Sequence, residues 1–151
     1  MSGLNRVGIP DAIPWVMLAP LGPINDLTSR IIAGAIEVHR VLGPGLLESV
    51  YAACLAYELQ NAELTVERER SIPIVYKTLT LDKAFRLDAL VNDIVIVETK
   101  AVEHVIPLHK AQLLTHMKLA KKPVGLLLNF NVPIMKQGIT RLLNKSALDM
   151  L

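Results

Sequence analysis

The sequence predicts an α/β domain of the α+β kind, a mixed central β-sheet flanked by helices, and three observations carry that prediction. Apolar residues recur at helical spacing in two segments before residue 62, and the pattern then changes to short strand-like runs between Leu64 and Lys100. A further helical segment from Pro107 leads into a continuous apolar run, Val124 to Phe130. Two helices, a meander of strands, a helix and a returning strand form an order that buries a sheet between helical layers.

Taken in order, Asn25 or Asp26 can cap a helix beginning at Leu27, with Ile31, Ile32, Ala35, Ile36, Val38, His39 and Leu42 on its apolar side. Gly43-Pro44-Gly45 stops it, and a second helix runs from about Leu46 to Asn61. Leu64 to Arg70, Ile72 to Lys77, Phe85 to Val91 and Ile94 to Lys100 read as strands joined by short turns. Pro107 opens a third helix that continues to about Lys121. The run Val124 to Phe130 fits a strand covered on both faces, and a final strand or helix is expected over Gly138 to Leu143.

The domain is expected to span residues 26–151, preceded by a loosely ordered, proline-rich arm over residues 1–25. Ile13 to Leu21 is apolar but well short of the roughly 18 residues a membrane span needs, so no membrane association is expected. Only Arg6 and the amino terminus supply positive charge upstream, which reads as a tail and not as a secretion signal.

A chain of 151 residues can bury a real core, and with 52% hydrophobic but only 4% aromatic residues that core must be aliphatic. Cys54 is the sole cysteine, which excludes an internal disulfide and makes a reducing, cytoplasmic setting the expectation. The net charge of +2 says little, but its distribution is uneven: residues 26–98 carry −4 and residues 99–151 carry +6. An acidic patch that binds metal beside a basic surface that holds phosphate fits this asymmetry, as do two differently charged solvated faces. No zinc-type spacing, phosphate-cradling glycine loop or aromatic stacking platform is present.

Candidate chemistry lies in the two strands around Asn92-Asp93. With an odd-numbered turn, positions summing to 186 face each other and Asp88 lies opposite Glu98. That register gathers Phe85, Leu87, Ala89, Val91, Val95 and Val97 on one apolar face. The other face then carries Leu90 and Ile96, with Asp88, Glu98 and Lys100 at one end. Carboxylates ~5 Å apart across a ladder repel each other, and a hard divalent cation relieves that repulsion. Lys100, two residues after Glu98, shares its face and can hold an attacking water or the charge developing on a phosphate. An ordinary salt bridge at a strand end accounts for the same three residues.

The flanking residues add specificity. Gly45-Leu-Leu-Glu48-Ser-Val-Tyr51 resembles the signature of the GxxExxY family, a branch of the PD-(D/E)XK nuclease superfamily. The resemblance extends through Phe85-Arg-Leu-Asp88, Ile96-Val-Glu98-Thr-Lys100, Pro107-Leu-His109-Lys-Ala-Gln112 and Gly125-Leu-Leu-Leu-Asn129-Phe-Asn131, covering about residues 26–145. It implies a restriction-endonuclease-like core and metal-dependent hydrolysis of nucleic-acid phosphodiester bonds, with DNA the expected substrate and Mg²⁺ or Mn²⁺ the cofactor. Asp88 and Glu98 would bind the ion beside Lys100, with Glu48 as a further acidic ligand from the second helix. As the alternative, Glu48 is a carboxylate of the kind favoured at a helix N-terminus. Gln112 resembles the glutamine of a Gln-x-x-x-Tyr element, with His116 where tyrosine is expected; Leu87 stands where the superfamily name has proline. Tyr51, His39, His109 and His116 are accessory candidates, although His39 reads more readily as a satisfied, partly buried side chain. Lys110, Lys118, Lys121 and Lys122 are candidate phosphate contacts. A nuclease fold that binds nucleic acid or regulates without cleaving is the alternative, and a homodimer is one assembly the sequence allows.

Overall fold

The computed structural model describes residues 21–151, so the expectations for residues 1–20 lie outside it. Helix α1 spans Leu21–Leu42 and begins six residues before the expected Leu27. Pro23 argues against helix at first sight, but proline is tolerated in a first turn, where its missing N–H has no partner to lose. Residues 21–25 therefore belong to the helix and not to the arm: Leu21 and Ile24 are buried with Leu27, Ile31, Ala35 and Val38. Asn25 does not cap; its Oδ1 accepts a hydrogen bond from Arg141 Nη2 at 2.7 Å.

Gly43 ends α1. It takes φ +68°, accessible at little cost only without a Cβ, and its N–H donates to His39 O at 2.8 Å. Helix α2, Glu48–Asn61, follows directly.

Five strands form one sheet in sequence order: β1 Val66–Tyr76, β2 Leu79–Val91, β3 Val95–Lys100, β4 Val124–Asn129 and β5 Ile139–Leu143. Only β3 and β4 run parallel, joined by α3, Pro107–Ala120, so the sheet is mixed as expected. A 3₁₀ turn at Met135–Gly138 precedes β5, and the short α4, Lys145–Leu148, follows it.

The four strands expected before residue 101 are three. The stretches expected separately at Leu64 to Arg70 and Ile72 to Lys77 form the single β1, because Ser71 stays paired with Arg86. Pro73 lies where the β1–β2 register shifts between Ile72 and Ile74, an irregularity that tolerates a residue without an N–H.

Two cores sandwich the sheet. On one face α1 and α2 pack on Val91, Val95, Val97, Val124, Leu126 and Leu128. On the other, Leu113 and Met117 of α3 pack on Leu90, Ile96 and Leu127. Gly125 in β4 permits that approach, since a Cβ there would stand 2.6 Å from Met117 Sδ. This three-layer arrangement is a restriction-endonuclease-like α+β fold. Among the described residues, no helix is long and apolar enough to cross a membrane.

Candidate metal and catalytic site

The hairpin between β2 and β3 has the odd-numbered turn. Ala89 pairs with Val97, Leu90 with Ile96 and Val91 with Val95, around the three residues Asn92, Asp93 and Ile94. Asn92 and Asp93 take φ of +51° and +58°, a region these short polar side chains tolerate, and Ile94 N–H donates to Val91 O at 3.0 Å.

The ladder stops one pair before Asp88 and Glu98. Opposite Asp88 on the other side, Glu69 of β1 is also skipped by the pairing and takes φ +53°. The alternation of β2 breaks at this level. Leu87 and Phe85 pack in the α3 core with Leu90, and not beside Ala89 and Val91 as the expected apolar face had them. The break also frees the Asp88 carboxylate to turn between the strands, where Oδ2 accepts the Thr99 N–H at 3.1 Å.

Asp88 is exposed as a residue, yet its carboxyl end is crowded. It lines a small cleft with Ala52, Leu55, Arg68, Val97 and Thr99. Loss of solvent raises its pKa from the ordinary 3.8, against the lowering effect of the Thr99 N–H; Glu98 raises it further, Lys100 opposes, and Glu48 adds a smaller push upward. The surface area and the crowding differ here, and crowding at the oxygens governs titration.

Because burial favours the protonated form, stability that Asp88 contributes is present below its ordinary pKa and declines as pH rises through the raised folded value. Asp88→Asn keeps an oxygen for the Thr99 N–H. It is therefore expected to melt higher than the parent at pH 7 without metal, with the advantage vanishing near pH 3; melts across that range check the sign.

Glu98 is buried on the α3 side, and its Oε1 lies 2.6 Å from His116 Nδ1. Lys100 is half-buried and makes no ion pair among the described residues, so the strand-end salt bridge offered as the ordinary explanation is not formed. Its backbone is fixed by the Phe130 N–H, which donates to Lys100 O at 2.9 Å.

Glu48 is exposed at the first position of α2, and its Oε1 accepts the Ala101 N–H at 3.4 Å. It thus combines the helix-terminal position with an approach to the end of β3. Tyr51 explains why α2 starts where it does. Its ring is fully buried and stacks on Phe130 at 4.6 Å; its hydroxyl donates to Gly43 O at 2.6 Å and accepts the Leu46 N–H at 3.1 Å.

The remaining candidates divide. His39 is buried with Nε2 2.7 Å from Val132 O, fastening α1 to the segment after β4. His109 Nδ1 accepts the Ile106 N–H at 3.2 Å and so caps α3. Gln112 is exposed on α3, one turn before His116. Lys122 pairs with Asp93 at 2.9 Å, at the opposite end of β3 from Lys100, which removes it from the phosphate-contact candidates.

Two contributors escaped the sequence reading. The Thr99 backbone N–H orients Asp88, and no side chain signals it. Asn129 stood within one of the segments that carry the family resemblance, but its role was not read from it. It is buried, accepts the Val102 N–H at 3.1 Å and donates to Val102 O at 2.9 Å, pinning the chain just beyond Lys100.

The donor set, carboxylates with a nearby ammonium, has the hard-oxygen character that a small divalent cation takes. Among the described residues no group of three or more histidine, cysteine, aspartate or glutamate side chains is arranged to hold an ion as it stands. The expected three-carboxylate cage of Glu48, Asp88 and Glu98 is therefore not preassembled. A pair of carboxylates still fits magnesium, which commonly binds through one or two carboxylates plus waters and substrate phosphate.

No curated protein and no solved structure matches the chain. The family model for the PD-(D/E)XK nuclease superfamily matches residues 25–142, a span that holds Glu48, Asp88, Glu98, Lys100 and four whole strands with nearly all of the fifth, and the chain belongs to that superfamily.

Proposed function

We propose that this protein hydrolyses nucleic-acid phosphodiester bonds, DNA foremost, with Mg²⁺ or Mn²⁺ held by Asp88 and Glu98 and with Glu48 close enough to contribute an outer contact. The observation that carries the reading is the opening between β2 and β3: the ladder lapses at a crowded aspartate whose pKa the charge of a buried glutamate helps to raise, with a lysine that has no ion pair among the described residues at the end of β3. Within the superfamily we assign the chain to the GxxExxY branch, on Gly45, Glu48 and Tyr51.

A bound cation would polarise the scissile phosphate and lower the pKa of a coordinated water. The chain's own residues supply the rest. Asp88, oriented by Thr99, and Glu98 fix the cation's position. Lys100, projecting from the end of β3 and held by Phe130 and Asn129 behind it, places positive charge where the phosphate gains negative charge. Gln112, exposed one turn before His116, is proposed to contact water or substrate from α3.

Nicking of supercoiled plasmid with Mn²⁺ or Mg²⁺, with and without chelator, tests the proposal. Cleavage that needs the metal supports it; no cleavage of DNA or RNA with either metal counts against it. Lys100→Ala is expected to retain metal binding while slowing cleavage about 10²–10³-fold, the loss typical of one charge-stabilising donor.

A second reading, a nuclease fold that binds nucleic acid or regulates without cutting, is favoured by one observation, that the acids among the described residues do not form a ready cage. Under it, the protein retains nucleic acid in a binding assay but Mn²⁺ neither stabilises it nor elicits nicking.

A further inference from the structure

We infer that His116 is a positioning residue for Glu98: its Nδ1–H holds one carboxylate oxygen, leaving the other for the cation. The inference rests on the reading of Glu98 as a metal ligand given above.

The contact is short, 2.6 Å between Nδ1 and Oε1, and both partners are substantially enclosed, with side-chain exposures of 25% for His116 and 8% for Glu98. An ionised carboxylate can only accept, so the shared hydrogen belongs to Nδ1. The imidazole is held on its other side. It stacks on Phe85 of β2 with centroids 4.6 Å apart and planes 19° from parallel. The backbone beneath it is anchored by Leu113 and Met117, both without solvent exposure.

A glutamate has three side-chain torsions, and at the lapsed end of the β2–β3 ladder no hydrogen bond from its own strand, among the described residues, selects among them. The partner that does is on α3, 18 residues away. Phe85 takes part only because the alternation of β2 breaks at Asp88 and brings Phe85 to the α3 face. One irregularity thus places Asp88, and through Phe85 and His116 it orients Glu98. Groups that hold a metal ligand in place in this way typically govern affinity about 10–100-fold when removed.

Two substitutions separate this role from the alternatives. His116→Phe keeps an aromatic ring against Phe85 and removes the donor. His116→Asn places an amide N–H near the position of Nδ1 and has nothing at Nε2. Calorimetric titration of the full chain with Mn²⁺ alone is expected to show His116→Phe binding about 10–100-fold more weakly than the parent. His116→Asn should regain most of that loss. In the metal-free parent, imidazole nitrogen spectra should place the His116 hydrogen on Nδ1, a measurement that needs no variant to fold. If His116→Phe binds Mn²⁺ like the parent while Glu98→Gln does not, His116 only packs and the inference falls while the metal site stands. If His116→Asn is as weak as His116→Phe, Nε2 is itself a ligand and the positioning role is wrong. A hydrogen found on Nε2 alone, with none on Nδ1, overturns it as well. If Glu98→Gln binds Mn²⁺ as the parent does, the reading of Glu98 fails first and takes this inference with it.

Discussion

Glu98→Gln is expected to abolish metal-dependent cleavage, by about 10³-fold or more, while leaving the metal-free protein as stable as its parent. The size follows from what is removed: the charge that holds a cation worth several kcal/mol of transition-state stabilisation, at about 1.4 kcal/mol per tenfold. Stability is expected to behave differently. The amide introduced at this position keeps an oxygen that can accept from His116 Nδ1, and the change removes a negative charge that raises the pKa of Asp88. The metal-free variant should melt within about 2–4 °C of the parent, the shift that about 1 kcal/mol produces in a domain of this size. Were Glu98 chiefly the anchor of a buried ion pair, the variant would lose about 3–5 kcal/mol. Manganese adds a second contrast. At about a hundredfold excess over its dissociation constant it should stabilise the parent by about 2.7 kcal/mol and leave Glu98→Gln unmoved.

The largest stability effect is expected from Tyr51→Ala. The ring is fully buried and stacked on Phe130, so truncation creates a cavity at a cost of about 3–5 kcal/mol, or a melting temperature lower by roughly 6–20 °C. It also leaves Gly43 O and the Leu46 N–H without their shared hydroxyl. Tyr51→Phe separates the two contributions: it keeps the stack and should cost only about 1–2 kcal/mol. Because that hydroxyl closes the turn ahead of α2, Tyr51→Phe should also loosen Glu48 relative to the end of β3. Thermal melts check the first effect, and exchange protection of the Ala101 N–H, which donates to Glu48, checks the second.

The register of the β2–β3 hairpin was legible because Ala89, Val91, Val95 and Val97 form an apolar face only in the odd-turn alignment, and Asn92 and Asp93 suit the left-handed turn it requires. The buried β4 was legible from its unbroken apolar run. The break in β2 was not. It coincides with Glu69 at φ +53°, a conformation usually marked by glycine or asparagine, so its residue type gives no warning. With the break hidden, Leu87 and Phe85 were assigned to the wrong face. The start of α1 was missed for the opposite reason: Pro23 was a visible signal whose meaning depends on whether it falls in a first turn or an interior one. The Glu98–His116 contact joins β3 to α3 through tertiary packing, which spacing along the chain does not encode. What the sequence displayed was the set of residue types the chemistry needs; what it concealed was the strand irregularity that arranges them.

The central claim is that Asp88 and Glu98 share one divalent cation beside Lys100, and anomalous scattering from a manganese-soaked crystal tests it most directly. One strong peak is expected at the lapsed end of the β2–β3 ladder, at coordination distance from a carboxylate oxygen of each residue, with Lys100 adjacent and Glu98 Oε1 still held by His116. A crystal grown in saturating manganese with no peak there, or with the ion bound only elsewhere on the chain, would contradict it.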